Sequence, residues 1–244
     1  MRELTALALL GGLLAGLCMV GGWLAGGDPM LVLELGFAVV VAAWAARLGV
    51  DLWRQHEAMQ DLSLMATPAT EGGVRCHVVP ELGPRAFVTG WLRPRIFIGD
   101  ELVAILDRAE LAGVLLHEEH HRRTRAPLRA AAATAWLAMF GRIGAVETLV
   151  QRRLTDLERA ADDEALARGA SPAALASALL KVAPIGVPAS ASYAASSDER
   201  IAGLLLRSRG IKVPARSLPI EWLPPVAGLV TLVVCHLLAG AGLG

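Results

Sequence analysis

The chain has 244 residues, which suits one compact domain together with a few membrane segments. Hydrophobic residues make up 55% and charged residues only 19%, so the apolar excess is too large for an ordinary water-soluble globule. The formal charges cancel, 23 against 23, which argues against direct binding of nucleic acid. Cys18, Cys76 and Cys235 have no regular spacing, so we expect neither a disulfide framework nor a thiolate zinc site.

Two apolar stretches predict an N-terminal transmembrane hairpin over residues 1–52. Residues 4–25 carry no charge and are long enough to cross the ~30 Å hydrocarbon core as a helix. A Gly-Gly-Asp-Pro turn follows, and residues 30–50 return across the bilayer. The alternative for the first stretch is a cleavable signal peptide, which the absence of a small-x-small cleavage site disfavours.

The last part of the chain, residues 217–244, predicts a further transmembrane helix, because 226–244 is uncharged and follows two prolines. Arg47 and Arg54 flank the exit of the 30–50 stretch, so the positive-inside rule places the following region in the cytoplasm. We therefore expect a multi-pass protein of the bacterial plasma membrane, whose functional domain, residues 53–216, faces the cytoplasm.

The domain between these segments is predicted to be mainly α with a small β meander. Residues 52–70 indicate a helix before a loop, and 184–198 indicate a loop. The predicted strands are RCHVV (75–79), RAFVT (85–89) and RIFI (95–98). The predicted helices are 100–124 with Asp100 as N-cap, 151–168 with Gly169 as C-cap, a helix from Ser171-Pro172 to about Val182, and 199–209.

The segment LLHEEHHRR contains the pattern H-E-x-x-H at residues 117–121. On a helix, His117 and His121 lie on one face a turn apart, where two imidazoles can bind one zinc ion. Glu118 follows the first ligand and can hold a water on the zinc and take its proton. Gly113, one turn earlier, would let another backbone approach closely. The alternative is an exposed polar helix end with clustered His and Arg.

A third ligand strengthens the hypothesis of a catalytic zinc site, since such sites usually have three protein ligands and one open position. Glu158, in the segment LERAADDEALARG, can reach the zinc from a second helix. Asp162, one turn later, can accept the N–H of a zinc-binding histidine and so fix its tautomer. The alternative for Glu158 is a solvated acidic helix face.

The stretch AFVTGWLRPRIFIGDELVAIL-DRAELAGVLLHEEHHRRTRAPLR (86–129) resembles the peptidase domain of the β-lactam-sensor (BlaR/MecR) membrane metallopeptidases. More distantly, it is similar to the HtpX and prenyl-protein (CAAX) membrane peptidases. The resemblance covers roughly residues 75–206 and implies a gluzincin-type α+β fold with one zinc ion. The matching residues are Glu110, Leu111, Val114, Leu115, His117, Glu118, His121, Glu158, Ala161, Asp162 and Ala165.

The resemblance also implies an arginine after the second helix, and Arg200 in DERIAGLL matches it. Arg200 could pair with Asp162 or Glu158, or stabilise the oxyanion; the alternative is a surface charge. Tyr193, the only tyrosine, could serve as an oxyanion donor. Ala126 replaces the aspartate of the family's Asp-Pro-Leu, which removes one carboxylate expected near the ligands. No S-x-x-K follows downstream, so β-lactam sensing by this polypeptide is not expected.

The apolar segment 130–150 lies between His121 and Glu158, which must meet at one zinc ion. A single crossing would separate the two ligands by ~30 Å, and two crossings would need roughly 40 apolar residues. We therefore expect this segment to lie along the interface or to dip in and return near Gly141–Gly144, with Arg142 at the surface.

The sequence therefore predicts a membrane-anchored zinc metallopeptidase that hydrolyses peptide bonds, with the region 85–98 binding substrate as an added strand. By resemblance, its partners are the lipid bilayer and a membrane-proximal protein substrate such as a BlaI/MecI-like transcriptional repressor. One alternative is a membrane-protein quality-control or processing protease. A second is a catalytically inactive zinc-binding signalling scaffold. The sequence indicates no oligomeric state.

Overall fold

The computed structural model describes residues 29–182 and 191–209, so the spans predicted at 4–25 and 226–244 lie outside the described residues. The described part is mainly helical with one small mixed sheet. In chain order its elements are α1 (Pro29–Met65), β1 (Thr67–Glu71), β2 (Val74–Val79), β3 (Ala86–Thr89), β4 (Arg95–Gly99), α2 (Asp100–Ile105), α3 (Arg108–Arg123), α4 (Ala126–Phe140), α5 (Gly144–Ala167), α6 (Pro172–Val182) and α7 (Ala191–Ser208).

The chain divides into two compact units. The first contains residues 1–50, 132–153 and 218–244, and the second contains residues 51–131 and 154–217. All the residues predicted to bind metal or act on substrate belong to the second unit.

Helix α1 joins the predicted 30–50 span to the predicted helix after residue 52 without a break, over 37 residues. Its part Leu35–Met65 is long and apolar enough to cross a membrane by length and composition. Only 11% of its most apolar window is buried, so it does not resemble the core helix of a globular domain.

The sheet has the strand order β1-β2-β4-β3, so the predicted three-strand meander is wrong in its topology. Strand β4 lies between β2 and β3, parallel to β2 and antiparallel to β3. A first strand, β1, forms a hairpin with β2 around Gly72 and Gly73 and was missed because Pro68 disfavours a strand. The strands at the two edges are β1 and β3.

The connection from β2 to β3 explains this order, because it passes over the end of β4. Gly99 donates its backbone N–H to Arg85 O at 2.9 Å. A Cβ on Gly99 would lie only 1.8 Å from the carbonyl oxygen of Gly83, so only glycine permits this crossing. No periodicity of apolar residues reports such a long-range contact, and for that reason the sequence did not predict it.

The predicted helix 100–124 is two helices, α2 and α3, separated at Leu106 and Asp107. Gly99, and not Asp100, is the N-cap of α2, while the Asp100 carboxylate accepts the N–H of Glu101 at 2.9 Å. The C-terminal limits were predicted better. Gly169, at φ +99°, ends α5, and α6 begins at Pro172 and ends at Val182 as expected.

The core of the second unit lies between the sheet and the N-terminal half of α3. Its buried residues are Val74, Cys76, Ile96, Ile98, Leu102, Leu106, Leu111, Leu115 and Ala178. Leu111 and Leu115 are one turn apart on α3, so burying them sets the rotation of this helix and thereby the direction of the faces that carry its polar residues.

In the first unit, α1 packs against the first part of the apolar segment 130–150. The Trp44 indole N–H donates to the carbonyl of Ala132 at 3.2 Å, and the Trp44 ring stacks on Trp136 at 5.7 Å. The segment is not one helix, since α4 ends at Phe140 and α5 begins at Gly144. A side chain at Gly141 would collide with the carbonyl oxygen of Leu137 at 2.4 Å, which ties the break to this glycine.

Helix α7 begins at Ala191, earlier than the predicted helix 199–209, so the predicted loop 184–198 is wrong over its second half. Residues 183–190 lie outside the described part.

Candidate metal centre

Helix α3 begins with a reciprocal capping box that sets the register of the metal-binding residues. The Asp107 carboxylate accepts the backbone N–H of Ala109 and of Glu110, each at 2.8 Å. In return, Glu110 Oε2 accepts the backbone N–H of Asp107 at 2.8 Å. The helix runs unbroken from this cap to Arg123, so His117 and His121 are presented one turn apart.

Three side chains converge at the C-terminal half of α3. The Nε2 atoms of His117 and His121 lie 3.0 Å apart, with the two rings at right angles. Glu158, from α5, places Oε2 3.4 Å from His117 Nε2 and Oε1 3.3 Å from His121 Nε2. One ligand atom from each residue lies within 4.8 Å of the other two, so the three could hold one metal ion.

Asp162 orients the first of these histidines from one turn further along α5. Its Oδ1 lies 2.8 Å from Nδ1 of His117, and both side chains are buried. An ionised carboxylate can only accept, so Nδ1 of His117 carries the proton. When His117 is neutral, its lone pair is then on Nε2, the atom that faces His121 and Glu158.

Arg200, from α7, binds both carboxylates and is only 10% exposed. Its Nε and Nη2 donate to the two oxygens of Asp162, each at 2.9 Å, and its Nη1 donates to Glu158 Oε2 at 2.8 Å. Of the roles considered for Arg200, the structure shows the pairing with Asp162 and Glu158. A second ion pair, Arg207 with Asp163, also links α7 to α5.

The charged groups of this cluster stabilise one another through hydrogen bonds that outweigh the effect of burial on their pKa values. Burial alone would raise the pKa of Asp162, but hydrogen bonds from His117 and Arg200 lower it to about 2. The same opposition of burial and hydrogen bonds holds the pKa of Glu158 well below its usual range. For His117, burial acts to lower the pKa, yet the hydrogen bonds to Asp162 and Glu158 raise it to about 9.

These residues fit a zinc ion. Ligand atoms bound at about 2.0–2.1 Å to one tetrahedral ion lie roughly 3.3 Å from each other. The observed separations of 3.0, 3.3 and 3.4 Å match that value. The donor set of two imidazoles and one carboxylate is one that zinc accepts and keeps open for water in catalytic sites.

Glu118 lies beside this cluster and is 8% exposed. Burial raises the pKa of its carboxyl group, while the positive charge of the neighbouring histidines acts to lower it. Within the described residues, no hydrogen bond from another side chain reaches its carboxylate, in contrast to Asp162. A carboxylate with a raised pKa next to a metal site is suited to accept and return a proton.

The predicted role of Gly113 is wrong, and the predicted role of Tyr193 falls on a side chain outside the described part of the chain. Gly113 does not admit another backbone, because it is the Leu175 side chain of α6 that packs on it, 3.1 Å from the position a Cβ would take. Tyr193 falls in the first turn of α7, and its side chain lies outside the described residues.

Sequence reasoning missed a second polar cluster at the other end of α3. Glu110 is 3% exposed, and it accepts the Ser177 hydroxyl at 2.6 Å and the Lys181 ammonium at 2.7 Å. These bonds lower the pKa of Glu110 to about 2 against the effect of burial. The D-x-x-E pattern of Asp107 and Glu110 was the available signal for the capping box, but nothing local indicates the partners on α6.

A groove of about 590 Å³ also opens beside α3, and it is lined by residues of the sheet, including Arg75, and by Arg122 and Arg168. Its lining includes none of His117, Glu118, His121 and Glu158, so it is separate from the metal cluster.

Among the comparisons with known proteins, the scan of family models found a match. The family model described as peptidase family M48 matches residues 55–205, which is more than half of the chain. No curated protein and no solved structure matches the chain. The matched range contains the converging histidines, Glu158, Asp162 and Arg200. The chain therefore belongs to peptidase family M48.

Proposed function

We propose that this M48 metallopeptidase is a membrane-anchored zinc endopeptidase in which Glu118 handles the proton of the attacking water. M48 is a family of zinc metallopeptidases, and it includes membrane proteases. The observation that carries the proposal is the convergence of His117, His121 and Glu158 around one point, with the His117 tautomer held by Asp162.

The division of labour among the residues follows from this geometry. His117, His121 and Glu158 would hold the ion, which when bound makes water acidic and polarises the scissile carbonyl group. Glu118 takes a proton from the attacking water at its carboxylate and returns it to the leaving amine. Asp162 and Arg200 keep the ligands in place, since every described hydrogen bond of the Arg200 side chain goes to Asp162 or Glu158.

Strand β3 is the proposed binding edge for the substrate backbone. It is an edge strand, and its own element contacts include both β4 and the metal-bearing helix α3. An extended peptide could add to this edge through main-chain hydrogen bonds. Such bonds select a substrate for its extended conformation and depend little on its side chains. The predicted participation of residues 85–98 in substrate binding is thus narrowed to Ala86–Thr89.

For the membrane, we propose that residues 30–50 cross the bilayer and that 130–150 dips in and returns. The contact of Trp44 with Ala132 and Trp136 supports the dipping alternative over a flat one. Trp44 lies six residues, or about 9 Å of helix, before Val50. The break between Phe140 and Gly144 is where the segment would turn back.

The cytoplasmic orientation rests on Arg47 and Arg54, and a repressor substrate rests on the BlaR/MecR resemblance, whereas the M48 match equally suits a quality-control or processing protease. A zinc-binding scaffold is disfavoured because Glu118 is buried without a described hydrogen-bond partner. A structural zinc site has no use for such a carboxylate.

Glu118→Gln tests the proposed function. In the full-length protein in detergent, we expect the variant to retain zinc by elemental analysis and to cleave casein about 10²–10⁴-fold more slowly. Glu119→Gln is the matched control, because Glu119 is the neighbouring carboxylate and pairs instead with Arg122. Equal cleavage by Glu118→Gln and wild type, or a wild type that binds zinc and cleaves nothing, would contradict the proposal.

A further inference from the structure

We propose that the groove beside α3 binds an acidic segment of a polypeptide, which is held by Arg75, Arg95 and Arg168. All the described residues that line this groove belong to the second compact unit, and none of them is a candidate metal ligand. The groove is therefore distinct from the place where a peptide bond would be cleaved. That the bound segment belongs to a substrate rests on the proposed function, whereas the binding itself does not.

The groove concentrates positive charge in a chain whose formal charges cancel. The positive side chains that line it outnumber the negative ones by three, with histidine neutral. They come from β2, β4, α3 and the residue directly after α5, so the tertiary structure brings them together. Like charges gathered at one place repel each other, and binding of an anionic group there is favourable. The arginines are Arg75, Arg95, Arg122 and Arg168, and the glutamate is Glu119.

The chain leaves most of this positive charge without a counter-charge. Glu119 is fully used by Arg122, whose Nε and Nη2 each donate to one of its oxygens at 2.6 Å. Arg95 donates to a neutral acceptor, a serine hydroxyl on α1, at 3.1 Å. Within the described residues, the side chains of Arg75 and Arg168 form neither a hydrogen bond nor an ion pair, and both are exposed. Three guanidinium groups can therefore offer paired N–H donors to carboxylates.

The groove lies on the side of α3 opposite the metal ligands. A Cβ on Gly72, in the turn between β1 and β2, would lie 3.3 Å from Cα of Ala112, so the hairpin packs on this face of the helix. Glu119 follows Ala112 by seven residues, or about two turns, and lies on the same face. His117 and His121 are about 140° and 180° around the helix from Ala112. A segment in the groove is thus separated from the metal centre by the width of the helix, about 10–12 Å.

This separation defines the class of substrate that could use both places. An extended chain advances at most about 3.3–3.6 Å per residue, so the acidic segment would lie at least about three residues from the scissile bond. The β3 edge would select a substrate for its extended conformation, whereas the arginines would select it for carboxylates. A substrate bound at both places has a raised effective concentration at the metal centre.

The lining of the groove favours a polypeptide over a nucleic acid. Among the described residues that line it, none is a Phe, Tyr or Trp on which bases could stack. Nucleic acid also requires a basic surface that follows its backbone, whereas the net charge of the whole chain is zero. The volume of about 590 Å³ falls within the roughly 300–1,000 Å³ of sites that bind organic ligands, which leaves room for several side chains. Polypeptides are also the substrates of the peptidase family to which the chain belongs.

Binding of a defined peptide tests the groove without catalysis. The full-length Glu118→Gln protein in detergent is titrated into a short fluorescein-labelled peptide of alternating Glu and Gly at low ionic strength, and fluorescence polarisation gives the Kd. A labelled peptide with Gln in place of every Glu is the uncharged control. We expect the acidic peptide to bind at least about tenfold more tightly than the control, with an affinity that falls as salt is added, because salt screens exposed ion pairs.

The double variant Arg75→Ala/Arg168→Ala removes two of the three available guanidinium groups. We expect its Kd for the acidic peptide to rise about tenfold, since each exposed arginine contributes modestly to carboxylate binding. The matched control Arg85→Ala/Arg108→Ala removes two exposed arginines of the same unit that do not line the groove. Its Kd should stay within about twofold of the parent value. Circular dichroism and the zinc content of each variant check that the domain is folded.

The proposal is overturned if the parent protein binds both peptides equally or binds neither, or if the two double variants have the same Kd. Displacement of the peptide by a single-stranded oligonucleotide, or by phosphatidylglycerol in mixed micelles, at lower concentration than by unlabelled peptide would overturn the assignment to a polypeptide. Casein cleavage by the wild type without peptide binding would contradict only the groove. Peptide binding by a wild type that cleaves nothing would contradict only the proposed function.

Discussion

Two buried carboxylate clusters stand on the same helix, α3, and they differ in how their hydrogen-bonding capacity is used. At the N-terminal end, Glu110 accepts bonds from Asp107, Ser177 and Lys181. At the C-terminal end, two imidazole nitrogens and the Glu158 carboxylate face one another at 3.0–3.4 Å. Both clusters contain groups whose pKa is strongly shifted, so a shifted pKa alone does not identify the functional one.

The difference between the clusters lies in the donors. The chain itself supplies every proton that Glu110 accepts, and the cluster joins α6 to the start of α3. In the other cluster, Asp162 and Arg200 hold the ligand side chains, and one ligand atom each from His117, His121 and Glu158 lies within 4.8 Å of the other two. A cluster whose acceptors all receive hydrogen bonds from the chain itself is structural. A cluster in which several possible ligand atoms point at one position is suited to bind a cation.

The largest effect expected on this comparison comes from Glu158→Gln. Glu158 is itself a proposed ligand, and loss of a residue that only hydrogen-bonds a ligand already lowers metal affinity about 10–100-fold. We therefore expect the zinc affinity of Glu158→Gln to fall by more than about 100-fold. Competition with a chromophoric chelator in detergent measures it. The matched variant Glu110→Gln should keep its zinc affinity. An equal loss of zinc affinity in both variants would contradict the assignment of metal binding to the Glu158 cluster alone.

Asp162→Asn should have the next largest effect. Asparagine retains an acceptor for His117 but loses the charge that holds the Nδ1 proton and the paired bonds from Arg200. We expect zinc affinity to fall about 10–100-fold, with a secondary loss of casein cleavage that excess zinc restores. A variant that binds zinc as tightly as wild type would show that Asp162 does not orient His117.

Glu110→Gln should affect stability rather than metal binding. The folded-state pKa of Glu110, about 2, is below the ordinary value of 4.5, so its charge stabilises the fold above about pH 4.5. That contribution is lost as the pH falls toward 2. We expect the variant to be less stable by about 2 kcal/mol at pH 7, a value reduced for the partial exposure of Lys181.

Denaturant unfolding of chelator-treated protein at pH 7 and at pH 3 measures this effect. The difference between wild type and Glu110→Gln should shrink at the lower pH. A difference that is constant with pH would show that the Glu110 charge, as opposed to its shape, contributes nothing.

The sequence predicted the elements whose signals are local. The cap at Gly169, the helix starting at Pro172 and the pair of histidines on α3 each depend on a few neighbouring residues, and the structure contains all three. The order of the strands, the strand β1 and the break between α2 and α3 were missed. Each of these depends on a contact between distant residues or on an overlooked cap, such as Gly99 against Gly83 or Asp107 with Glu110.

For the site, the sequence by itself determined which residues to consider. The H-E-x-x-H spacing, Glu158 and Asp162 could be read from helical periodicity, because residues four apart share one helix face. Arg200 was a candidate with three open roles. Only the tertiary structure showed that its guanidinium binds Asp162 and Glu158, since α7 is brought to α5 by packing that no local pattern encodes.

Only the tertiary structure decided, too, which strands lie at the edges of the sheet. Strands β3 and β4 both contain short apolar runs, AFV and IFI, so the sequence gives them similar strand signals. They differ in position, because β4 lies between β2 and β3 whereas β3 lies at an edge. This pairing is made by backbone hydrogen bonds, which every residue type can form, so the sequence does not reveal it. The sequence determined which side chains could bind a metal ion, while long-range backbone pairing decided which strands have an open edge.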